Sequence, residues 1–174
     1  MQLAQVIIDS LTLFVLGIAL LYSAKQISSL KKTHQEVLDW NRRIEAKKAL
    51  QTASEKVEST QKLYEALPMR DSRETIPRAE IEKVIEERPD LHVLLSDMLN
   101  WYESLASGIL QRVYDEEVIK IARRGDMIRC FDRYKHYIYL IRGTAPRIWE
   151  DMEHMAEKWR AEIPERSYRP GPGE

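Results

Sequence analysis

The stretch that decides the fold runs from Leu91 to Val113, L-H-V-L-L-S-D-M-L-N-W-Y-E-S-L-A-S-G-I-L-Q-R-V. Leu91, Leu94, Leu95, Met98, Leu99 and Tyr102 recur at steps of one, three and four. Leu105, Ala106, Ile109, Leu110 and Val113 carry the stripe onward. An α-helix brings residues at this spacing to one face. A stripe wider than about a third of the circumference belongs to a helix at the centre of a core.

Working outward, the flanking segments read as helices too. Thr75-Ile76-Pro77 predicts a helix start, since proline is tolerated in a first turn. Ile81, Val84 and Ile85 form the buried face of that short helix, which ends near Glu87. Pro89 and Asp90 interrupt the chain and open the central helix. Beyond it, Asp115 is placed to cap a short helix carrying Val118, Ile119 and Ile121. Arg124-Gly125-Asp126 reads as a stop and a new cap, followed by a helix from Met127 to Arg142. Gly143-Thr144 repeats that signal, and a last helix is expected from near Pro146 through Trp149, Met152, Met155 and Trp159. No strand-like alternation of useful length is visible, and six glycines are few for a turn-rich β architecture.

The amino-terminal end has a different character. Leu3 to Ala24, L-A-Q-V-I-I-D-S-L-T-L-F-V-L-G-I-A-L-L-Y-S-A, holds one charge, Asp9. It has about the twenty residues a helix needs to cross hydrocarbon. Nothing between Tyr22 and Leu67 breaks a helix, so the span is expected to continue as a stalk. Ile27, Leu30, Val37 and Ile44, with His34 and Asn41 between them, form a heptad-like stripe. The stripe then shifts to Ala46, Leu50, Ala53, Val57, Thr60, Tyr64 and Leu67. Leu38 and Trp40 lie off this stripe and are candidates for the headgroup zone or a partner.

Direction follows from charge. A secretory signal has basic residues before its apolar core, and Met1 to Gln5 has none. Basic residues follow the run instead: Lys25, Lys31, Lys32, Arg42 and Arg43, then Lys47 and Lys48. The positive-inside rule puts that side in the cytoplasm and the short amino terminus outside. The same cluster suits anionic lipid headgroups, where each base contributes about 1 kcal/mol. Asp9, near one end of the span, reads as interfacial or as a contact between helices, with Gly17 as a small-residue contact.

Composition removes several classes. Charges nearly balance, 27 basic against 28 acidic, which argues against general nucleic-acid binding. The one cysteine, Cys130, sits in an apolar helical context and has no partner for a disulfide. No glycine-rich phosphate loop, nucleophile elbow, H-E-x-x-H or C-x-x-C occurs, so no catalytic residue, metal or cofactor is expected. Asp151-Met152-Glu153-His154 has the carboxylate-x-x-His spacing of helical di-iron sites but lacks a second copy. Asn100 and Glu103 share neighbouring helical faces, and Arg142 ends another helix. These three are expected to form an interior polar network that fixes helix packing, or a pocket for a polar or anionic ligand.

Leu99-Asn100-Trp101-Tyr102-Glu103-Ser104-Leu105-Ala106, with Gly108-Ile109, Val113-Tyr114, Tyr137 to Arg142 and Ile148-Trp149, resembles a family of short bacterial proteins. That family is built on a domain of unknown function, with an amino-terminal span and a Leu-Asn-x-x-Glu helix motif. The similarity covers most of the chain after Trp40 and implies an all-helical fold without implying an activity.

The expected architecture is therefore all-α: a transmembrane helix at 1–24, a juxtamembrane stalk at 25–67, a bundle of about five helices at 68–163, and a tail at 164–174. The expected role is a non-enzymatic scaffold or regulatory module in the bacterial inner membrane, working with a protein partner or as a homo-oligomer. The alternatives are an accessory subunit of a membrane complex and a permeabilising stress or phage-defence effector. The last would depend on Asp9.

Overall fold

Two elements begin where the sequence leaves no choice. Pro77 lacks an N–H and stands at the N-cap of a helix spanning Arg78–Glu87, here α2. Arg88, at φ −136° and ψ 74°, is kept out of the helical region by the proline that follows it, and Pro89 opens the next helix, α3, at Pro89–Leu110. The computed structural model describes residues 2–51, 63, 65 and 75–163, with residues 2–13 and Ile85 described by backbone alone. Around α2 and α3 lie α1 (Gln2–Gln51), α4 (Glu116–Arg142) and α5 (Glu150–Ala161). These five helices have both ends among the described residues; Leu63 and Glu65 are helical as well, and no strand occurs among the described residues.

The chain divides into two compact units, Met1–Asn41 and Arg42–Glu174. The first is the greater part of α1. The second holds the core. Leu91, Leu95, Leu99, Tyr102, Leu105, Ala106 and Ile109 are all buried, as the central stripe requires. Leu110 and Val113 are exposed instead, because α3 stops at Leu110. Helix α5 packs on both α3 and α4, bringing Met152, Met155, Ala156 and Trp159 fully into the core.

The segment from Glu116 to Arg142 is one helix, although a break was expected at Gly125. A glycine within a helix costs only about 1 kcal/mol. Ion pairs from Arg123 and Arg129 to Asp126 bridge the same turn, and Arg129 lies over Gly125. The last helix begins at Glu150, later than Pro146, because residues 146–149 form a turn. From Thr75 to Ile163 the described chain thus has four helices where five were expected.

Among the described residues no helix is long and apolar enough to cross a membrane. The all-α class holds, and the described residues do not by themselves make the expected span. The portion whose side chains are described, Phe14 to Ala24, amounts to about 16 Å of helix. Within the stalk, Ala46 is fully buried and Leu50 packs against the core. Ala53, Val57, Thr60, Tyr64, Leu67 and the 164–174 tail lie outside the described residues.

Between α3 and α4 the chain turns on Arg112, which has φ 60°. Its N–H reaches the Ile109 carbonyl at 2.9 Å, and the Val113 N–H reaches that of Gly108 at 2.8 Å. This is the Schellman pattern, with arginine where glycine is usual. Asp115 then caps α4, accepting the Val118 N–H at 3.1 Å. Its other carboxylate oxygen accepts from Arg43 at 3.2 Å, and its own N–H donates to the Arg42 carbonyl at 3.3 Å. The carboxyl end of α1 is tied to the bundle at that point.

Tyr114 folds back onto Gly108, so that a Cβ added there would overlap the ring. Gly108→Ala is expected to destabilise the protein by about 1–3 kcal/mol, the range for overpacking. In urea denaturation most of that loss should vanish when Tyr114→Ala is made alongside it. Strictly additive effects would disprove the contact.

Candidate functional site

A polar row runs along α3 beside its apolar stripe. His92, Ser96, Asn100 and Glu103 follow one another at steps of four, four and three, hence on one face. Each meets a specific partner on α4 or at the start of α5. The Tyr137 hydroxyl lies 2.8 Å from Ser96 Oγ and 2.8 Å from His92 Nδ1. The Trp149 indole N–H donates to Asn100 Oδ1 at 2.8 Å. The Tyr137 and Trp149 rings lie against each other, with centroids 5.6 Å apart, joining the two contacts.

Glu103 does a different job. Trp149 occupies the N-cap of α5 in a left-handed conformation, φ 56°, and provides no side-chain cap. Its ring is 2% exposed, turned inward rather than toward the helix end. The first N–H groups of α5 therefore need an acceptor from elsewhere. Glu103 gives one oxygen to the Asp151 N–H at 3.3 Å and the other to the Met152 N–H at 2.8 Å. The carboxylate also faces the positive end of the helix dipole.

Arg142 closes the arrangement from α4. Its Nε donates to the Ile148 carbonyl at 2.8 Å, and its Nη1 pairs with the Glu153 carboxylate. Glu153 also accepts from the Tyr139 hydroxyl at 2.8 Å, which pushes the Tyr139 phenol up. Arg142 Nη2 is buried without a hydrogen-bond partner among the described residues. Asn100, Glu103 and Arg142 thus converge on one place, residues 148–153 at the head of α5. The carboxylate that Arg142 grips is Glu153, and Glu103 binds backbone instead.

Burial pushes the Glu103 carboxyl above its ordinary range, against the two N–H groups of Met152 and Asp151, which favour the ion. Burial likewise raises the Tyr137 phenol, opposed by its bond to Ser96. Cys130 is buried, and desolvation raises its thiol far out of the reactive range.

Among the described residues, the space beside this network is small. A cavity of about 10 Å³ touches His92, Leu95 and Tyr134, room for one water at most. A wider open groove of about 630 Å³ lies elsewhere, along α4 between Glu117 and Arg129. Its walls carry both signs of charge, and Ile121 beside it is 85% exposed. No group of three or more His, Cys, Asp or Glu comes together among the described residues.

The basic cluster divides between two settings. Lys25, Lys31 and Lys32 stand exposed on α1, with Lys32 only loosely paired to Glu36 at 3.9 Å. Arg42 and Arg43 are engaged at the α3–α4 connection, Arg42 through Nε to the Arg112 carbonyl at 3.0 Å. A Cβ on Gly17 would meet open space. The Asp9 side chain lies outside the described residues.

A family model described as a domain of unknown function, DUF4760, matches residues 3–159. The chain belongs to this family. The match begins well before Trp40, so the DUF4760 domain takes in the apolar run and the stalk as well as the bundle. No curated protein and no solved structure matches the chain.

His92 and Ser96 are the members of the row that the motif does not contain. The signal for them was the same spacing of three and four, displaced by one position from the apolar stripe.

Two substitutions test the role of Glu103. Glu103→Ala should cost about 1–2 kcal/mol, the scale of a lost helix cap. Glu103→Gln probes the sign of the ionisation. With its pKa raised on folding, Glu103 binds its proton more tightly in the native state, so stability falls as pH rises through the window above about 4.3. Chemical denaturation from pH 4 to pH 7 should show the parent losing stability relative to Glu103→Gln. A gain over that range would mean that the amide bonds outweigh burial.

Proposed function

We propose that this DUF4760 chain is a non-enzymatic, single-pass membrane-anchored helical module of the bacterial inner membrane. Its bundle lies on the cytoplasmic side and it acts through protein–protein contacts. The observation that carries the reading is the apolar stretch of α1 from Phe14 to Leu21. Phe14, Val15, Leu16, Ile18, Leu20 and Leu21 are all exposed, Phe14 at 68% and Leu21 at 74%. At 100° per residue they point in every direction around the helix. A helix that is apolar all round has no stable place in water and suits hydrocarbon. The DUF4760 match takes in this run, from residue 3 onward. Lys25, Lys31 and Lys32, exposed just after the run, support a cytoplasmic carboxyl side and contact with anionic headgroups.

The hydrogen bonding of the polar row, half-buried apart from the exposed Asn100, supports a structural use. His92, Ser96, Asn100, Glu103, Tyr137 and Arg142 bond to one another or to neighbouring groups of the fold. Of the tryptophans that would serve as docking anchors on the bundle, two are buried and Trp101 is half-buried. Trp149 and Trp159 are buried, and the Arg123 guanidinium lies over Trp101 at 5.6 Å. Trp40, on the stalk, is 64% exposed. About 24 Å of continuous helix separates it from Ala24, too far for the headgroup layer next to the span. The exposure of Trp40 favours the stalk as the partner surface.

Cell fractionation tests the anchor. The full chain should remain with membranes after alkaline carbonate washing, and Leu16→Lys with Leu20→Lys should shift it to the soluble fraction. Each lysine costs about 2.5–3.5 kcal/mol at the centre of a span. A parent chain released by carbonate would overturn the anchor, as would a double variant that stays in the pellet.

A further inference from the structure

We propose that the stalk half of α1 pairs in parallel with the same helix of a second copy, as a two-stranded coiled coil. The orientation rests on the membrane reading, which points both copies the same way. The seam is Ile27, Leu30, His34, Val37 and Asn41, at alternating steps of three and four. The same steps count back through Ser23 and Leu20 to Leu16, so the repeat runs without interruption for nearly four heptads. All of these positions are exposed, Val37 at 50%.

Leu38 and Trp40, which look misplaced when the stripe is read as a line, flank the seam on either side. Together they widen the apolar face around Val37 and Asn41. Charge is distributed to match. Lys25, Lys32 and Asp39 occupy the position of each heptad farthest from the seam, and Glu36 also points away from it. Between Gln26 and Asn41 the only charge on the flanks is Lys31. In a parallel pair it faces Gln26 of the second copy, with no repulsion.

The polar seam residues select a second copy over an unrelated helix. Asn41 opposite Asn41 presents a donor and an acceptor to the same pair, so each amide satisfies the other. Opposite an apolar residue the amide would be desolvated without compensation. His34 opposite His34 is complementary in the same way when both rings are neutral. The flanks carry no alternating charge pattern of the kind that specifies a different partner. Confinement to one membrane would raise the effective concentration of the two helices.

Cysteine cross-linking of the full chain in native membranes tests the pairing, in a Cys130→Ala background. Val37→Cys and Leu30→Cys should oxidise to covalent dimers at least tenfold faster than Asp39→Cys and Lys32→Cys. Light scattering of each parent in mild detergent should give the mass of two chains. Equal rates at seam and outer positions would overturn the proposal, as would a monomeric mass with no seam dimers. Circular dichroism confirms that each variant has kept its helix content. Fractionation of the same samples separates the two readings. Seam dimers in the soluble fraction would defeat the anchor and leave the pairing, whereas membrane-bound chains without seam preference would defeat the pairing alone.

Discussion

A helix whose N-cap is a buried tryptophan in the left-handed conformation must find its first acceptors elsewhere, and here they come from Glu103. Helix α5 is the element that packs on both α3 and α4, so the place where it starts governs how all three meet. The Glu103 carboxylate holds two of its leading N–H groups, Asn100 holds the Trp149 indole, and Arg142 holds the preceding carbonyl. Left-handed backbone at a bulky residue costs about 1–2 kcal/mol, and the surrounding bonds are what keep Trp149 there. These polar groups, half-buried at Glu103 and Arg142 and exposed at Asn100, are thereby committed to geometry. The opposite end of α5 is fastened in the same style, with Glu116 accepting from both Lys158 and the Trp159 indole.

The helices that bury one face left a periodic record, and α3 is legible for that reason. Its buried set, from Leu91 to Ile109, falls within the stripe the spacing predicts, with Leu94 and Met98 half-buried and Leu110 and Val113 exposed. Asp115 as a cap and Pro89 as a start are equally legible, because each acts through its own backbone. Gly125 misled because a glycine between charged residues resembles a stop. The ion pairs that carry α4 through that turn depend on side-chain geometry that composition does not reveal. The start of α5 falls later than Pro146 suggests for a related reason: Pro146 is a good first-turn residue, but the turn at 146–149 is held by contacts with both α3 and α4.

The motif residues tell a similar story. That Asn100, Glu103 and Arg142 belong together could be read from their types and helical positions. That Glu103 binds backbone could not, since an amide group carries no sequence signature. Arg142 was expected to meet a carboxylate and does, yet its partner Glu153 lies on the helix that Glu103 caps. His92 and Ser96 went unread because Tyr137, the group that joins them, comes from another helix. On the stalk, Leu38 and Trp40 look irregular only while a single stripe is considered, and their exposure turns attention from the bundle to α1.

Gly108 and Tyr114 carry a consequence for how this sequence can change over time. The ring sits where any side chain at position 108 would have to go, and the Gly108 carbonyl also receives the N–H groups of Val113 and Tyr114. Neither position is free to vary by itself. A larger residue at 108 is viable only in a lineage where the aromatic at 114 has already gone, and losing that aromatic first uncovers the end of α3. The two positions should therefore drift together or stay still, joined in descent as they are in space.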